Sequence, residues 1–132
     1  NPMELYLTFG VSFIASSYSS RVKDLSDLIV KGMNHPGFAI VQVQSPCTTY
    51  NDTHDMIKGN AKAGVAPKLY DVPANHDTTS TEAAVKLVRS PGVPQGIIYQ
   101  NPNSVPFEKR LEDMNKKVKV RSAAELIDTF KV

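Results

Sequence analysis

The sequence predicts an α/β fold, and three consecutive patterns support that class. A β-branched and aromatic run at 11–15 comes first, an amphipathic helical pattern follows it, and an almost continuously apolar run occupies 38–43. Strand, helix and strand within about 35 residues form a βαβ unit, whose two strands are parallel and whose crossover is almost always right-handed. We therefore expect part of a parallel sheet, followed by an irregular, partly helical C-terminal extension.

The first two helices have recognisable ends. Asn1 is placed to cap a short helix at the start of the chain. After the first strand, Ser19 or Ser20 is expected to cap the clearest helix, which the His-Pro-Gly sequence at 35–37 should end. Its apolar residues fall at helical spacing: Val22, Leu25, Leu28, Ile29 and Met33.

The apolar run at 38–43 is typical of an interior strand in a parallel sheet that is covered on both faces. Periodicity then fails from Thr48 to Thr78, where Asn, Asp, Thr, Pro and Gly are frequent. Loops of that length are uncommon in compact domains unless they are functional or lie across another surface. We therefore expect an extended excursion that needs a neighbouring subunit, or a preceding part of the protein, to be fully ordered.

Regular patterns return after this excursion. Thr79 and Glu82 have the spacing of a capping box, for a helix that should end at 90–92. A short strand is expected at 96–99. Next, Ser104 should open a helix whose apolar face consists of Phe107, Leu111 and Met114.

The last residues combine two further patterns. Val118 and Val120 alternate with basic residues as in a brief strand. Ser122 and Glu125 have the spacing of a second capping box. The helix that this box begins is expected to bury three apolar residues: Leu126, Ile127 and Phe130.

Composition excludes several classes of function. With 41% hydrophobic and 21% charged residues, the 132-residue chain fits one soluble globular domain. No apolar run is long enough to span a membrane, and the first residues lack the regions of a signal peptide, so we expect a cytoplasmic protein. A net charge of +2 is too small for a nucleic-acid-binding surface. The chain begins at Asn1 without an initiator Met, so a cut from a longer polypeptide is expected.

One local charge bias lies near the end of the chain. Two interpretations remain open for it: a solvated face, or a contact for an acidic partner. Its basic residues are Lys109, Arg110, Lys116, Lys117, Lys119 and Arg121.

The most informative stretch is Ser45-Pro46-Cys47-Thr48-Thr49-Tyr50-Asn51, because it directly follows the apolar strand. Ligands of open α/β sheets bind beyond the carboxyl ends of the strands. Amides that follow Cys47, and the two threonine hydroxyls, could donate hydrogen bonds to a sulfur that carries negative charge. Cys47 is the only cysteine, which excludes an intramolecular disulfide and agrees with a reducing compartment.

Three interpretations of Cys47 remain open on these residues alone. It could be a small buried hydrophobe, a metal-cluster ligand, or a nucleophile activated by His54 or His76. In the last case, Asp52 or Asp55 would orient the histidine. Asp52, His54 and Asp55 also carry metal-ligand types, but no further spaced ligands accompany them, so an exposed loop is the preferred interpretation there. His76 and Asp77 fit the entry to the following helix.

The order and spacing of several segments resemble a known family. These are 1–5, Gly10 to Ala15, His35 to Ala39, and 45–51, followed by His76-Asp77, Ala83-Ala84 and 94–99. Together they are similar to the end of the β subunit, which binds thiamine diphosphate, of 2-oxoacid:ferredoxin oxidoreductases. The resemblance covers residues 1 to about 115.

This resemblance implies a division of the chain and a role for Cys47. Residues 1–50 would be the C-terminal portion of the thiamine diphosphate-binding domain, and 51–132 the C-terminal extension of the β subunit. Cys47 would be one ligand of a [4Fe–4S] cluster, whose other three cysteines lie far upstream. The motif for thiamine diphosphate and Mg²⁺ also lies upstream in the family, so we expect this chain alone to bind none of these cofactors and to be inactive.

The implied reaction is oxidative decarboxylation of a 2-oxoacid with coenzyme A, giving acyl-CoA, CO₂ and reduced ferredoxin. An α subunit and ferredoxin are the implied partners, and pyruvate, 2-oxoglutarate and branched or aromatic 2-oxoacids all remain open as substrates. One departure is that Ala15-Ser16-Ser17 stands where the family commonly has an Arg at the end of the first strand.

Two further possibilities follow. The chain could be a non-catalytic binding or assembly domain that has kept the fold without the cofactors. A severed sheet edge at 38–43 could also make the chain a homodimer.

Overall fold

The computed structural model describes residues 1–118 and 120–131. The elements, in chain order, are α1 (Pro2–Thr8), β1 (Phe13–Tyr18), α2 (Val22–Met33), β2 (Ala39–Gln44), α3 (His54–Lys58), a 3₁₀ turn (Ala61–Ala63), β3 (Leu69–Asp71), α4 (Thr81–Arg89), β4 (Val93–Gln100), α5 (Phe107–Lys117) and α6 (Ala123–Asp128). The predicted α/β class is confirmed. No helix among these residues is both long and apolar enough to span a bilayer.

The sheet has four strands in the order β2-β1-β4-β3. The β1–β2 pair is parallel from Phe13 opposite Ala39 to Tyr18 opposite Gln44, as the βαβ pattern predicts. The β3–β4 pair is also parallel, whereas β4 lies antiparallel to β1. Ile98 is the extra residue of a β-bulge in β4, because the register passes from Tyr99 to Ile97 between successive residues of β1.

Strand β1 is the centre of the core, and all six of its residues are buried. On one face, Ile14 and Ile98 pack with apolar residues of α1 and α4. On the other face, Phe13 and Ala15 pack against Leu28 of α2. Alternate side chains of a strand point to opposite faces, so β1 is covered by helices on both sides.

The prediction that the apolar run at 38–43 forms an interior strand is wrong. Within the described residues β2 lies at the edge of the sheet and is only partly buried. Ile40 packs on the α1–α4 face, while Ala39 and Val41 pack on the α2 face. The strand is apolar because both of its faces are covered, although one of its backbone edges is free.

Two predicted helix caps are wrong by one or two residues. Helix α2 has Arg21 at the N-cap position without a side-chain hydrogen bond, in place of Ser19 or Ser20. The N-cap of α4 is Ser80, whose hydroxyl accepts from the Ala83 amide at 3.1 Å. Thr79, predicted as that cap, instead bonds to Asp77. The predicted Asn1 cap of α1 is confirmed.

The last third also differs from prediction in its burial. Helix α5 begins at Phe107, after Pro106, and not at Ser104. The Ser122–Glu125 capping box of α6 is confirmed. The apolar residues of both helices, and Phe130 in the turn after α6, are nevertheless exposed. The predicted burial of Leu126, Ile127 and Phe130 is therefore wrong. Val118 and Val120 lie outside any strand, and Lys119 between them lies outside the described residues.

The irregular segment at 48–78 contains more structure than predicted. It includes α3, the 3₁₀ turn and the three-residue strand β3. Ile57 of α3 is buried, and its carbonyl accepts a hydrogen bond from the Lys68 amide at 3.1 Å. The segment therefore folds back on itself and adds an edge strand to the sheet.

Candidate functional site

Cys47 lies just beyond the carboxyl end of β2, as the sequence predicts. Strands β1 and β2 are parallel and end together, with Tyr18 opposite Gln44. The Ser19 amide donates to the Gln44 carbonyl at 2.9 Å, which fixes the point where the chain leaves the sheet. Cys47 thus lies beyond the C-terminal ends of the strands, where ligands of α/β proteins commonly bind.

A tight turn between Cys47 and Asn51 shapes the surroundings of the sulfur. The Cys47 amide donates to the Asn51 carbonyl at 3.2 Å, and the Asn51 amide donates back at 2.9 Å. This pairing turns the intervening amides toward the thiol. Backbone hydrogen bonding from Tyr50, and then from Thr49, lowers the pKa of Cys47, although the charge of Asp52 opposes the shift. The turn therefore stabilises the thiolate of Cys47 relative to that of a free cysteine.

The exposure of Cys47 decides between two of its possible roles. Its thiol is free and exposed, so the interpretation as a small buried hydrophobe is wrong. The cysteine lines an open hollow of about 380 Å³. Other residues that line the hollow come from the end of β2, the turn, α3 and the start of β4: Gln44, Ser45, Asn51, Thr53, Met56, Ile57 and Val93.

The two candidate histidines have other hydrogen-bond partners. Nδ1 of His54 lies 2.6 Å from the hydroxyl of Tyr18. Nε2 of His76 lies 2.9 Å from the carbonyl oxygen of Ile98, which can only accept, so this nitrogen carries the proton. The structure therefore does not bring either imidazole together with Cys47 as an activating base, and it lends no support to a Cys–His nucleophile.

The acidic residues near Cys47 also have structural partners. Asp52 accepts a hydrogen bond from the backbone amide of His54 at 3.0 Å, and Asp55 accepts one from the side chain of Asn60 at 2.9 Å. Among the described residues, no group of three or more His, Cys, Asp or Glu side chains is arranged to hold a metal ion. This segment is therefore better described as a structured loop than as a metal site.

One pair near the site has no signal in the sequence. Tyr18 is fully buried, yet its hydroxyl reaches His54, 36 positions later in the chain. The aromatic rings of the two residues meet edge to face at 6.1 Å. No periodicity or spacing rule links residues so far apart, so only the fold reveals this contact.

A second hollow of about 480 Å³ lies at the opposite end of β1. Nε2 of the buried His35 donates to the hydroxyl of Ser12 at 3.0 Å, and that hydroxyl donates to the Phe38 carbonyl at 3.0 Å. Burial lowers the pKa of His35, which keeps its imidazole neutral. The arrangement accounts for His35 as a structural residue at the end of α2.

The comparisons with known proteins agree with one another. The family described as the C terminus of the pyruvate ferredoxin oxidoreductase β subunit matches residues 47–116, just over half of the chain. The β subunit of 2-oxoacid:ferredoxin oxidoreductase 1 from Aeropyrum pernix is 32% identical, over 87% of this chain and 38% of its own length. The corresponding protein from Saccharolobus solfataricus is also 32% identical, over 86% and 39%.

A solved structure agrees with these relatives. It is a 2-oxoglutarate:ferredoxin oxidoreductase from Magnetococcus marinus with 2-oxoglutarate, coenzyme A and succinyl-CoA bound. It matches all of this chain and 45% of its own chain, with a TM-score of 0.78 and 26% identity. The chain spans about two fifths of the length of the curated relatives it matches. It belongs to the family formed by the C-terminal part of the β subunit of pyruvate and related 2-oxoacid:ferredoxin oxidoreductases.

Proposed function

We propose that this chain supplies Cys47 as one thiolate ligand of a [4Fe–4S] cluster in a 2-oxoacid:ferredoxin oxidoreductase. The observation that carries the proposal is an exposed thiol just beyond the C-terminal ends of a parallel strand pair, in a tight turn closed by two backbone hydrogen bonds between Cys47 and Asn51. Thiolate is the ligand that iron–sulfur clusters use, and amide hydrogen bonds to the sulfurs tune them.

The residues of this chain can supply one cysteine ligand of the cluster and no more. Cys47 is exposed, and backbone hydrogen bonding from Tyr50 lowers its pKa, which suits a thiolate ligand. The chain has no second cysteine. The remaining ligands, and the motif for thiamine diphosphate and Mg²⁺, would therefore come from residues outside this sequence. On this proposal the chain alone is inactive.

In the complete enzyme, the reaction would be oxidative decarboxylation of a 2-oxoacid with coenzyme A, in the cytoplasm. The cluster would supply electron transfer to ferredoxin. Support comes from the relatives, which are 2-oxoacid:ferredoxin oxidoreductase β subunits, and from the 2-oxoglutarate and coenzyme A bound in the similar structure. An α subunit and ferredoxin would be the protein partners.

The division of the chain into 1–50 and 51–132 also belongs to this proposal. Strand β2, in the first segment, has one backbone edge without a neighbouring strand among the described residues. We infer that the sheet of the thiamine diphosphate-binding domain continues beyond this edge in the complete protein. Strand β4, from the second segment, closes the other side of β1. The extension would thus complete the sheet that carries the Cys47 turn.

A second candidate function, as a binding or assembly domain, has one specific observation in its favour. The apolar residues of α5, α6 and the turn after α6 are exposed, among them Phe107, Met114 and Phe130 at 75%, 63% and 83%. A run of exposed apolar residues on two helices is typical of a protein-binding surface. This role is compatible with the first, because a β subunit has to bind its partners.

The test compares the wild-type, full-length β subunit with Cys47→Ser, each assembled with its α subunit and reconstituted anaerobically with iron and sulfide. Ser45→Ala is the matched control, because Ser45 lines the same hollow but has no sulfur. Cys47→Ser should lose the cluster EPR signal, bound iron and 2-oxoacid-dependent ferredoxin reduction, whereas Ser45→Ala keeps all three. An unchanged cluster and activity in Cys47→Ser would refute the proposal.

A further inference from the structure

We propose that Tyr18 and His54 are positioning residues for the Cys47 loop, defined here as residues 45–53. Their side chains attach the far end of this loop to the end of β1. The inference deepens the proposed function and rests on it where it concerns the cluster. As a statement about loop geometry, it stands on the contacts alone.

The first step is the contact itself. Tyr18 is the last residue of β1 and is fully buried. Its hydroxyl lies 2.6 Å from Nδ1 of His54, at the start of α3. A buried tyrosine hydroxyl needs a hydrogen-bond partner, since leaving it unpaired costs its desolvation. His54 supplies that partner, so the contact fixes where α3 begins.

The second step is the connection from His54 back to the sulfur. The Asp52 carboxylate accepts from the His54 amide at 3.0 Å, which makes a compact turn between them. Asp52 directly follows Asn51, which pairs with Cys47 through two backbone hydrogen bonds. Holding His54 in place therefore restrains the turn whose amides face the thiol.

The third step is the near end of the loop. The Ser19 amide donates to the Gln44 carbonyl at 2.9 Å, directly before the loop begins. Ser19 is the neighbour of Tyr18 in the chain. Two adjacent residues at the end of β1 thus hold both ends of the Cys47 loop. The ammonium of Lys58 also lies 5.9 Å from the centre of the Tyr18 ring, which adds a contact from the end of α3.

This arrangement has a consequence for the electronic role of the cysteine. Amide hydrogen bonds to a cluster sulfur favour the reduced, more negative state, so they raise the reduction potential. They act only while the loop keeps the amides of Tyr50 and Thr49 directed at the sulfur. Removing the Tyr18–His54 contact should loosen the loop, and the reduction potential should fall.

The experiment uses the full-length β subunit assembled with its α subunit, in four single variants and one double variant that combines Tyr18→Phe with His54→Ala. Tyr18→Phe and His54→Ala each remove the hydrogen bond. His54→Asn is the rescue variant, because an Asn amide can occupy the place of Nδ1. Tyr70→Phe is the matched control, since the buried Tyr70 hydroxyl has no hydrogen-bond partner among the described residues.

Hydrogen–deuterium exchange of residues 45–58 gives the first readout. Tyr18→Phe and His54→Ala should each speed exchange there about two- to tenfold, with residues 81–100 unchanged, because losing one hydrogen bond weakens local protection by that order. Combining the two changes should add nothing further. His54→Asn and Tyr70→Phe should resemble wild type. Unchanged exchange in 45–58, or a rise across the whole chain, would overturn the inference.

The reduction potential of the cluster gives the second readout, at full iron content. It should fall in Tyr18→Phe and His54→Ala and recover in His54→Asn. A potential that stays at the wild-type value while exchange rises would overturn the tuning role of the pair. Retention of the cluster in Cys47→Ser would refute the proposed function, while the exchange result would still decide whether the pair positions the loop.

Discussion

Nε2 of His76 donates a hydrogen bond to the carbonyl oxygen of Ile98, the extra residue in the β-bulge of β4. A bulge residue leaves the regular pairing of the strands, and Ile98 is fully buried. His76 therefore satisfies a polar group that the sheet cannot satisfy. His76 was a candidate base for Cys47, which lies 29 positions earlier in the sequence. The structure instead gives this histidine a structural role.

Replacing His76 by Ala should destabilise the fold by about 1–3 kcal/mol, because the buried carbonyl loses its partner. His76→Gln should recover much of this stability, since the Gln amide nitrogen can replace Nε2 as the donor. Urea unfolding of both variants measures the effect. Asn75→Ala, at an exposed neighbouring position, is the control. Equal stability of His76→Ala and wild type would contradict the assigned role.

The core around β1 allows a second prediction. Ile14 is fully buried and packs with residues of α1, α4 and β4. Ile14→Ala should cost about 2–5 kcal/mol, because it removes apolar contacts and leaves a cavity. Val22→Ala should change stability by less than about 0.5 kcal/mol, since Val22 is 70% exposed. Thermal unfolding of the two variants tests the difference. Similar losses of stability in both variants would show that Ile14 is not part of the core.

The ion pair of Glu4 and Arg89 joins α1 to α4 across 85 positions of the sequence. Hydrogen bonding from Arg89 lowers the pKa of Glu4 below its usual value of 4.5. A carboxyl group with a lowered pKa in the folded state stabilises the fold above the pKa of the unfolded chain. That contribution is lost as the pH falls through the lower, folded pKa.

Glu4→Gln should therefore be less stable than wild type at neutral pH, and the difference should shrink as the pH falls below the usual pKa of glutamate and disappear below the folded pKa of Glu4. Denaturant unfolding at a series of pH values measures this. Glu82→Gln, which removes a carboxylate in the first turn of α4, is the control for net charge. A difference in stability between Glu4→Gln and wild type that persists at acid pH would show that the ion pair is not its cause.

Local patterns predicted the elements well where the deciding residues are close in sequence. The βαβ unit from β1 to β2 follows from hydrophobic runs and one amphipathic helix, and its parallel pairing is confirmed. The Ser122–Glu125 capping box is also local and confirmed. The Ser80 cap was missed because Thr79 and Ser80 are adjacent and chemically alike, and only backbone geometry distinguishes them.

Features that join distant segments could not be predicted. Nothing near β4 indicates that it inserts beside β1 in the antiparallel direction, or that its bulge would need His76. The Tyr18–His54 contact is of the same kind. In contrast, the position of Cys47 beyond β2 was predictable, because a strand pattern directly precedes it. The burial predicted for α6 was wrong because amphipathic spacing indicates an apolar face and not the surface that covers it.

The exposed apolar residues of α5 and of the turn after α6 lead to a fourth prediction. The double variant Met114→Ser with Phe130→Ser should leave the thermal stability of the chain within about 0.5 kcal/mol of wild type, because both side chains are exposed. In the complete β subunit, the same changes should weaken binding to the α subunit at least about tenfold, since exposed aromatic and Met residues often anchor interfaces.

Titration of the labelled α subunit against the two β subunits measures this affinity. Asn115→Ser, at an exposed polar position on α5, is the control for a substitution on this helix that removes neither apolar side chains nor charge. Equal affinity of the wild type, the double variant and the control for the α subunit would show that these helices bind a different partner.

The free edge of β2 supports the last prediction, that this chain by itself associates through strand pairing. The Phe38 and Gln44 carbonyls accept hydrogen bonds from the β1 side. Backbone groups alternate in direction along a strand, so the odd-numbered residues Ala39, Val41 and Val43 direct theirs to the free edge. An uncovered edge with apolar side chains is a template for another strand.

Sedimentation of the isolated chain at high concentration should therefore show a dimer, and Val43→Lys should abolish it, because a charged side chain on an edge strand blocks pairing. Val43 is 39% exposed, so the substitution should leave the fold intact. Lys23→Glu, on α2, is the control for a change of charge away from the edge. In the complete protein, where the proposed sheet covers this edge, Val43→Lys should instead destabilise the fold. A chain that stays monomeric at high concentration would show that this edge is not open to pairing.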